Sequence, residues 1–164
     1  MSSEFLEIIN CAFNSNSMRF SDVSCQIIAS LNEDPIDFLH RLLYLMTSIH
    51  LTESDVVHCL YASKRCLEFI ARIENGVPAN INLLVEVGNL VFQFIQSSNP
   101  NLCRISGVLF AWIAANVALC TDDVGFVSKI LDLFVNATDT KQATVGCHIL
   151  REILHLVNIE AFEV

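Results

Sequence analysis

His148, Glu152 and His155 stand at i, i+4 and i+7 in the run HILREILH. On a helix that spacing gathers three potential metal ligands on one face, as a zinc site requires. A zinc centre also wants a further donor, and a hydrolytic one an HExxH pair. Arg151 instead sets a cation beside the would-be ligands. We therefore read this face as solvated or as part of an interface, with no metal. His40, His50 and His58 are isolated from other chemistry-bearing groups and read as partly exposed helix residues rather than bases. The paired carboxylates Glu33-Asp34 and Asp122-Asp123 could share general acid–base work. Both fall where helices are expected to start, so capping and interaction with the helix dipole explain them.

Other catalytic signatures are missing. The sequence holds no GxSxG, no GxGxxG and no glycine-rich phosphate loop, its five glycines being scattered. Lys64-Arg65 is too short for a nucleic-acid patch or an import signal. The seven cysteines are odd in number, evenly spread and without a CxxC pair. They read as free thiols in apolar helical surroundings, suited to a reducing compartment. No enzyme and no cofactor is expected.

The composition agrees. Of 164 residues, 53% are hydrophobic and 16% charged, which excludes intrinsic disorder. A formal net charge of -9 disfavours nucleic acid as the main partner, because phosphate binding needs a clustered basic surface. The longest apolar stretch, Val108 to Cys120, is broken by Asn116 and preceded by Arg104. A membrane span needs about 20 apolar residues in succession, so we expect a buried core helix and no membrane insertion. The N-terminus, MSSEFLEIIN, lacks the basic segment and long apolar run of a signal peptide. An intracellular protein is expected.

These side chains must be positioned by helices, since nearly every segment between breaks carries a period near 3.6. Phe5, Ile8, Ile9, Ala12 and Phe13 share one face of the first, and Phe20, Val23, Ile27, Ile28 and Leu31 one face of the second. Asp34-Pro35 starts a third helix, Thr52-Glu53-Ser54-Asp55 a fourth by a capping box, and Asn99-Pro100 a sixth. Asn75-Gly76-Val77-Pro78 is the strongest breaker. The spacing predicts helices over 3–13, 18–31, 35–49, 53–73, 80–97, 100–119, 122–136 and 139–157. Mid-helix Gly88 and Gly107 suggest close helix approach, and Phe92, Phe94, Phe110, Trp112 and Phe126 an aromatic core between the last two hairpins. No strand is expected.

The expected fold is therefore all-α. About eight helices pair into four antiparallel hairpins, grouped as one domain over 1–164. Hairpins begin near 3, 35, 80 and 122, close to the period of about 40–47 residues in HEAT and armadillo solenoids. A compact helical bundle is the alternative arrangement. The terminal hairpins lack polar outer faces, which predicts an exposed apolar end or a continuing array.

The first 73 residues resemble the N-terminal domain of the importin-β and exportin family. The resemblance rests on the opening helix Phe5-Leu6-Glu7-Ile8-Ile9-Asn10, on Arg19 after a short polar break, and on the junction Ala29-Ser30-Leu31-Asn32-Glu33-Asp34-Pro35-Ile36-Asp37-Phe38-Leu39. The next hairpin, Leu42 to Ile49 and Val56 to Leu67, follows the family's order, with Lys64-Arg65 an approximate counterpart of its basic run and no arginine at Val56-Val57. Residues 80–157 resemble only two further generic HEAT hairpins. The resemblance implies a nuclear transport role in cytoplasm and nucleus, with Ran-GTP or cargo as partner. It also implies a binding surface on the second helix of each hairpin, at Asp22, Gln26, Asp55, His58 and Lys64. A small helical scaffold or adaptor without a transport role is the alternative.

Overall fold

The computed structural model describes residues 2–13, 20–48, 50–73 and 80–162. Eight helices occur among them: α1 (Ser2–Ala12), α2 (Phe20–Glu33), α3 (Pro35–Ser48), α4 (Glu53–Ile73), α5 (Ile81–Phe92), α6 (Pro100–Thr121), α7 (Gly125–Val135) and α8 (Thr140–Phe162). The protein is all-α, with no strand among the described residues. The polar break at 14–17, Arg19 and the breaker at 75–78 lie outside those residues.

Local chemistry sets most helix starts. Asp34 Oδ1 accepts the Ile36 and Asp37 N–H groups at 3.1 and 3.0 Å, and Pro35 takes the first helical position, where its missing N–H costs nothing. The capping box closes in both directions: Asp55 N–H donates to Thr52 Oγ1 at 3.2 Å while Thr52 N–H donates to Asp55 Oδ2 at 3.0 Å. Asn99 Oδ1 accepts from the Asn101 and Leu102 N–H groups, again with Pro100 following. Asp139 Oδ1 accepts the Gln142 N–H at 2.8 Å at the start of α8.

The largest departures from the expected bounds are in α8, which runs on to Phe162 rather than ending at 157, and in α5 and α7. α5 stops at Phe92, not at 97, because the chain tightens into i→i+3 bonds, with Gln93 N–H donating to Leu90 and Phe94 N–H to Val91. This turn still buries Ile95 completely, which explains why the apolar period ran on past the helix. α7 begins at Gly125, three residues late. Asp122 adopts the left-handed conformation, φ 57°, and ends α6, so of the Asp122-Asp123 pair only Asp123 serves the following helix, accepting the Gly125 N–H at 2.8 Å.

By compactness the chain forms two units, residues 1–78 and 79–164, although periodicity alone groups all 164 residues together. In the first, α1 packs on α2 and α4, and α3 on α2 and α4, so that the four helices close a ring. Its core includes Ile9, Val23, Leu39, Leu42, Leu60 and Leu67. Ser63 is buried on the α4 stripe, where its hydroxyl donates to the Cys59 carbonyl at 2.8 Å.

In the second unit α6 is central. It packs on α5, α7 and α8, and it alone among the described helices has the length and hydropathy of a membrane-crossing segment. Its Asn116 is buried yet satisfied, donating to the Trp112 carbonyl at 2.8 Å. Phe110 joins the expected aromatic core, its ring 5.4 Å from Phe92 and 5.3 Å from Phe126. Lys129 covers both outer rings, 5.5 Å from Phe92 and 5.3 Å from Phe126, and donates to Asn89 Oδ1 at 3.0 Å. Phe94 and Trp112 are half-buried.

The two mid-helix glycines separate. A Cβ on Gly88 would fall 2.7 Å from Phe126 Cζ, so this glycine makes room for the tip of the Phe126 ring against α5 rather than for a neighbouring helix backbone. A Cβ on Gly107 would meet Ile149 at 3.6 Å, an ordinary contact, so that glycine is not required for helix approach.

Candidate functional site

The residues singled out on α2 and α4 fall into three settings within the first unit. Asp55 and His58 are brought together, by a residue from α1. Asn10 donates its amide N–H to Asp55 Oδ1 at 2.8 Å, and its amide oxygen lies 2.7 Å from His58 Nδ1. The Asp55 carboxylate also accepts from the Thr52 hydroxyl at 2.8 Å. Phe13 stacks on the His58 ring with centroids 5.7 Å apart and leans on Tyr61. The group is a polar tie between the end of α1 and the start of α4.

Its electrostatics follow from that geometry. Burial works to raise the Asp55 pKa, but hydrogen bonds from the Thr52 hydroxyl, Asn10 and the Thr52 N–H, with His58 nearby, outweigh it and hold the carboxyl below its ordinary value. For His58, burial of the ring disfavours the imidazolium and lowers the pKa, against the attraction of Asp55. Burial pushes the Cys59 thiol next to it up to about 12, with the Asp55 charge adding to the effect. A neutral imidazole beside a carboxylate could in principle serve a hydroxyl nucleophile. Here His58 Nδ1 is engaged by Asn10, and the carboxylate is held by cap and tie.

Gln26 is exposed and stands on the wall of a groove of about 500 Å³, where Phe5, Phe38 and Arg41 meet. Arg41 lies over the Phe5 ring at 5.1 Å and pairs with Asp37 at 3.8 Å. Asp22, one turn before Gln26, is exposed in the first turn of α2. Lys64 is half-buried and forms an ion pair with Glu68, which Arg65 also approaches at 3.5 Å. Asp22 and Gln26 are therefore exposed, whereas Asp55, His58 and Lys64 are engaged within the fold.

The second unit contains a larger groove, of about 580 Å³, between the first turns of α6 and α8. Val108, Val145 and Ile149 give it an apolar floor, and Arg104, Lys141, His148, Arg151 and Glu152 edge it. His148 and Glu152 thus share a surface, as their spacing predicts. His155 is exposed one turn beyond, and among the described residues no three His, Cys, Asp or Glu side chains converge as metal ligands.

Sequence reasoning missed Asn10, whose only signal is a carboxamide at the edge of the apolar face of Ile9, Ala12 and Phe13. It also passed over Lys141, which lies far from Arg104 in sequence. No protein-family model, curated protein or solved structure matches the chain.

Proposed function

We propose that this chain acts by binding other proteins through surfaces its helix hairpins leave uncovered. The observation that carries the reading lies on α7. That helix already buries Phe126 and Ile130, yet Val124, Leu131 and Val135 follow a second face, and Val135 is 72% exposed. Phe134 stands beside them, and Leu154 on α8 is also exposed. An amphipathic helix ordinarily has one apolar stripe, covered by its neighbours. A second one facing solvent is the mark of an interaction surface.

The sharper form of the reading is the N-terminal region of a nuclear transport receptor, working between cytoplasm and nucleus and binding Ran in its GTP state or cargo. Its support is the order and spacing of residues 5–67 and the exposure of Asp22 and Gln26 on α2. The uncovered α7 stripe favours, as a second reading, a scaffold or adaptor without a transport role. A pulldown on the immobilised full chain, with Ran locked in the GTP or GDP form, separates them. Selective recovery of the GTP form, lost on Asp22→Lys with Gln26→Glu, supports the transport reading. Equal recovery of both forms, or none, overturns it and leaves the scaffold.

A further inference from the structure

Residues 79–164 carry four basic side chains and eight acidic ones. Three of the four, Arg104, Lys141 and Arg151, edge one groove between α6 and α8, where Glu152 is the only carboxylate among the described residues. An acidic unit has thus gathered most of its positive charge around one apolar depression. We infer that this groove docks an acidic amphipathic segment of a partner protein, with apolar side chains flanked on both sides by carboxylates.

The layout of charge selects that occupant. α6 and α8 run parallel here, since Lys141 reaches the start of α6 while Gly107 lies beside Ile149. Lys141 donates to the Gln96 and Ser97 carbonyls at 3.3 and 3.2 Å, which fixes its position without neutralising its charge. Arg104 flanks the same end, and the N-termini of both helices add positive potential to it. Arg151 stands at the other end, ten residues along α8, or about 15 Å at the helical rise, where it is exposed and also pairs with Glu152 at 3.3 Å. Cations at both ends of an apolar floor suit a chain with carboxylates on either side of its apolar anchors. A fatty acid, with one charged end, would use only half of them. The floor stays open because Gly107 puts no side chain into it, although its packing would accept one.

This inference rests on the protein-binding reading but not on the transport form of it, because the Ran pulldown reports on α2 in the first unit. The test is fluorescence anisotropy on the full chain. The probe is a short fluorescein-labelled peptide with a Leu and Phe core and two glutamates at each end. Its controls are the same peptide with glutamines or with lysines, and dodecanoate as a lipid competitor. The glutamate peptide should bind saturably, and about tenfold more tightly than the glutamine twin. Raising the salt should weaken it, because the charges lie at the rim. Gly107→Leu, which fills the floor, should abolish binding with an unchanged circular dichroism spectrum. Arg104→Glu with Lys141→Glu should weaken it about tenfold, and Val108→Glu serves if the leucine variant fails to fold. Equal binding of the three peptides, binding indifferent to these variants, or displacement by dodecanoate at stoichiometric concentration overturns the proposal.

Discussion

The Asn10 side-chain amide donates to the Asp55 carboxylate at 2.8 Å across 45 residues of sequence, and its oxygen meets His58 on the next turn of α4. One carboxamide thereby satisfies two groups that burial would otherwise penalise. It also explains why an amide stands in an otherwise apolar stretch of α1. Asn10→Ala should cost about 1–3 kcal/mol, the range for stranding partly buried partners, one of them charged. Urea unfolding followed by circular dichroism measures it. A midpoint equal to the parent's would show that water replaces the amide at no cost.

The same tie makes stability depend on pH, and both groups act in one direction. His58 has a folded pKa below its ordinary 6.5, so the unfolded chain binds that proton first. Its contribution is present above pH 6.5 and is lost as pH falls through the window between 6.5 and the folded value. Asp55, held below its ordinary 3.8, contributes fully above that value and loses its contribution as pH falls toward the folded one. Urea midpoints should therefore decline in two steps on acidification. His58→Gln should flatten the upper step while keeping the lower. An upper step of the same size in that variant would assign it to other groups.

The cysteines give a third expectation. Cys25, Cys120 and Cys147 are exposed, whereas Cys59 and Cys66 are buried with thiols pushed up to about 12. Cys66 also donates to the Pro35 carbonyl at 3.1 Å, at the contact of α3 with α4. The thiolate is the reactive form, so in folded protein at pH 8 a chromogenic disulfide reagent should label the three exposed sites quickly. It should reach Cys59 and Cys66 only on unfolding. Peptide mapping after brief labelling reads this directly, and early modification of Cys66 would contradict the burial of the α3–α4 seam.

Much of this fold was legible in the sequence because its signals are local. Asp34-Pro35, Thr52 to Asp55 and Asn99-Pro100 act within one turn, and each starts a helix where expected. The errors occur where tertiary contacts override the period. Ile95 is buried from a turn rather than from a helix, so its apolar register overran the end of α5. Asp122 took a left-handed conformation, which no local rule separates from a cap at the start of α7. The candidate surfaces were less legible. The Asn10 tie joins residues 45 and 48 positions apart, and the groove brings Lys141 to the carbonyls of Gln96 and Ser97. Spacing within a single helix carries neither relation.

Gly88 and Gly107 are indistinguishable in sequence and should respond oppositely to alanine. Both sit inside helices, where Gly→Ala gains about 1 kcal/mol of helix propensity. At Gly107 the new methyl meets Ile149 at an ordinary 3.6 Å, so Gly107→Ala should stabilise by close to that amount. At Gly88 it would lie 2.7 Å from Phe126 Cζ and 3.1 Å from Ile113 Cγ2. Phe126 cannot swing aside freely, because it is buried edge-on against Phe110 and covered by Lys129. Overpacking of this kind costs about 1–3 kcal/mol, enough to cancel the propensity gain or exceed it. Thermal melts of the two single variants should therefore bracket the parent, with Gly107→Ala above it. If Gly88→Ala also melted higher, the Phe126 ring would have room to shift, and its tight seat against Gly88 would not be a fixed feature of the second unit.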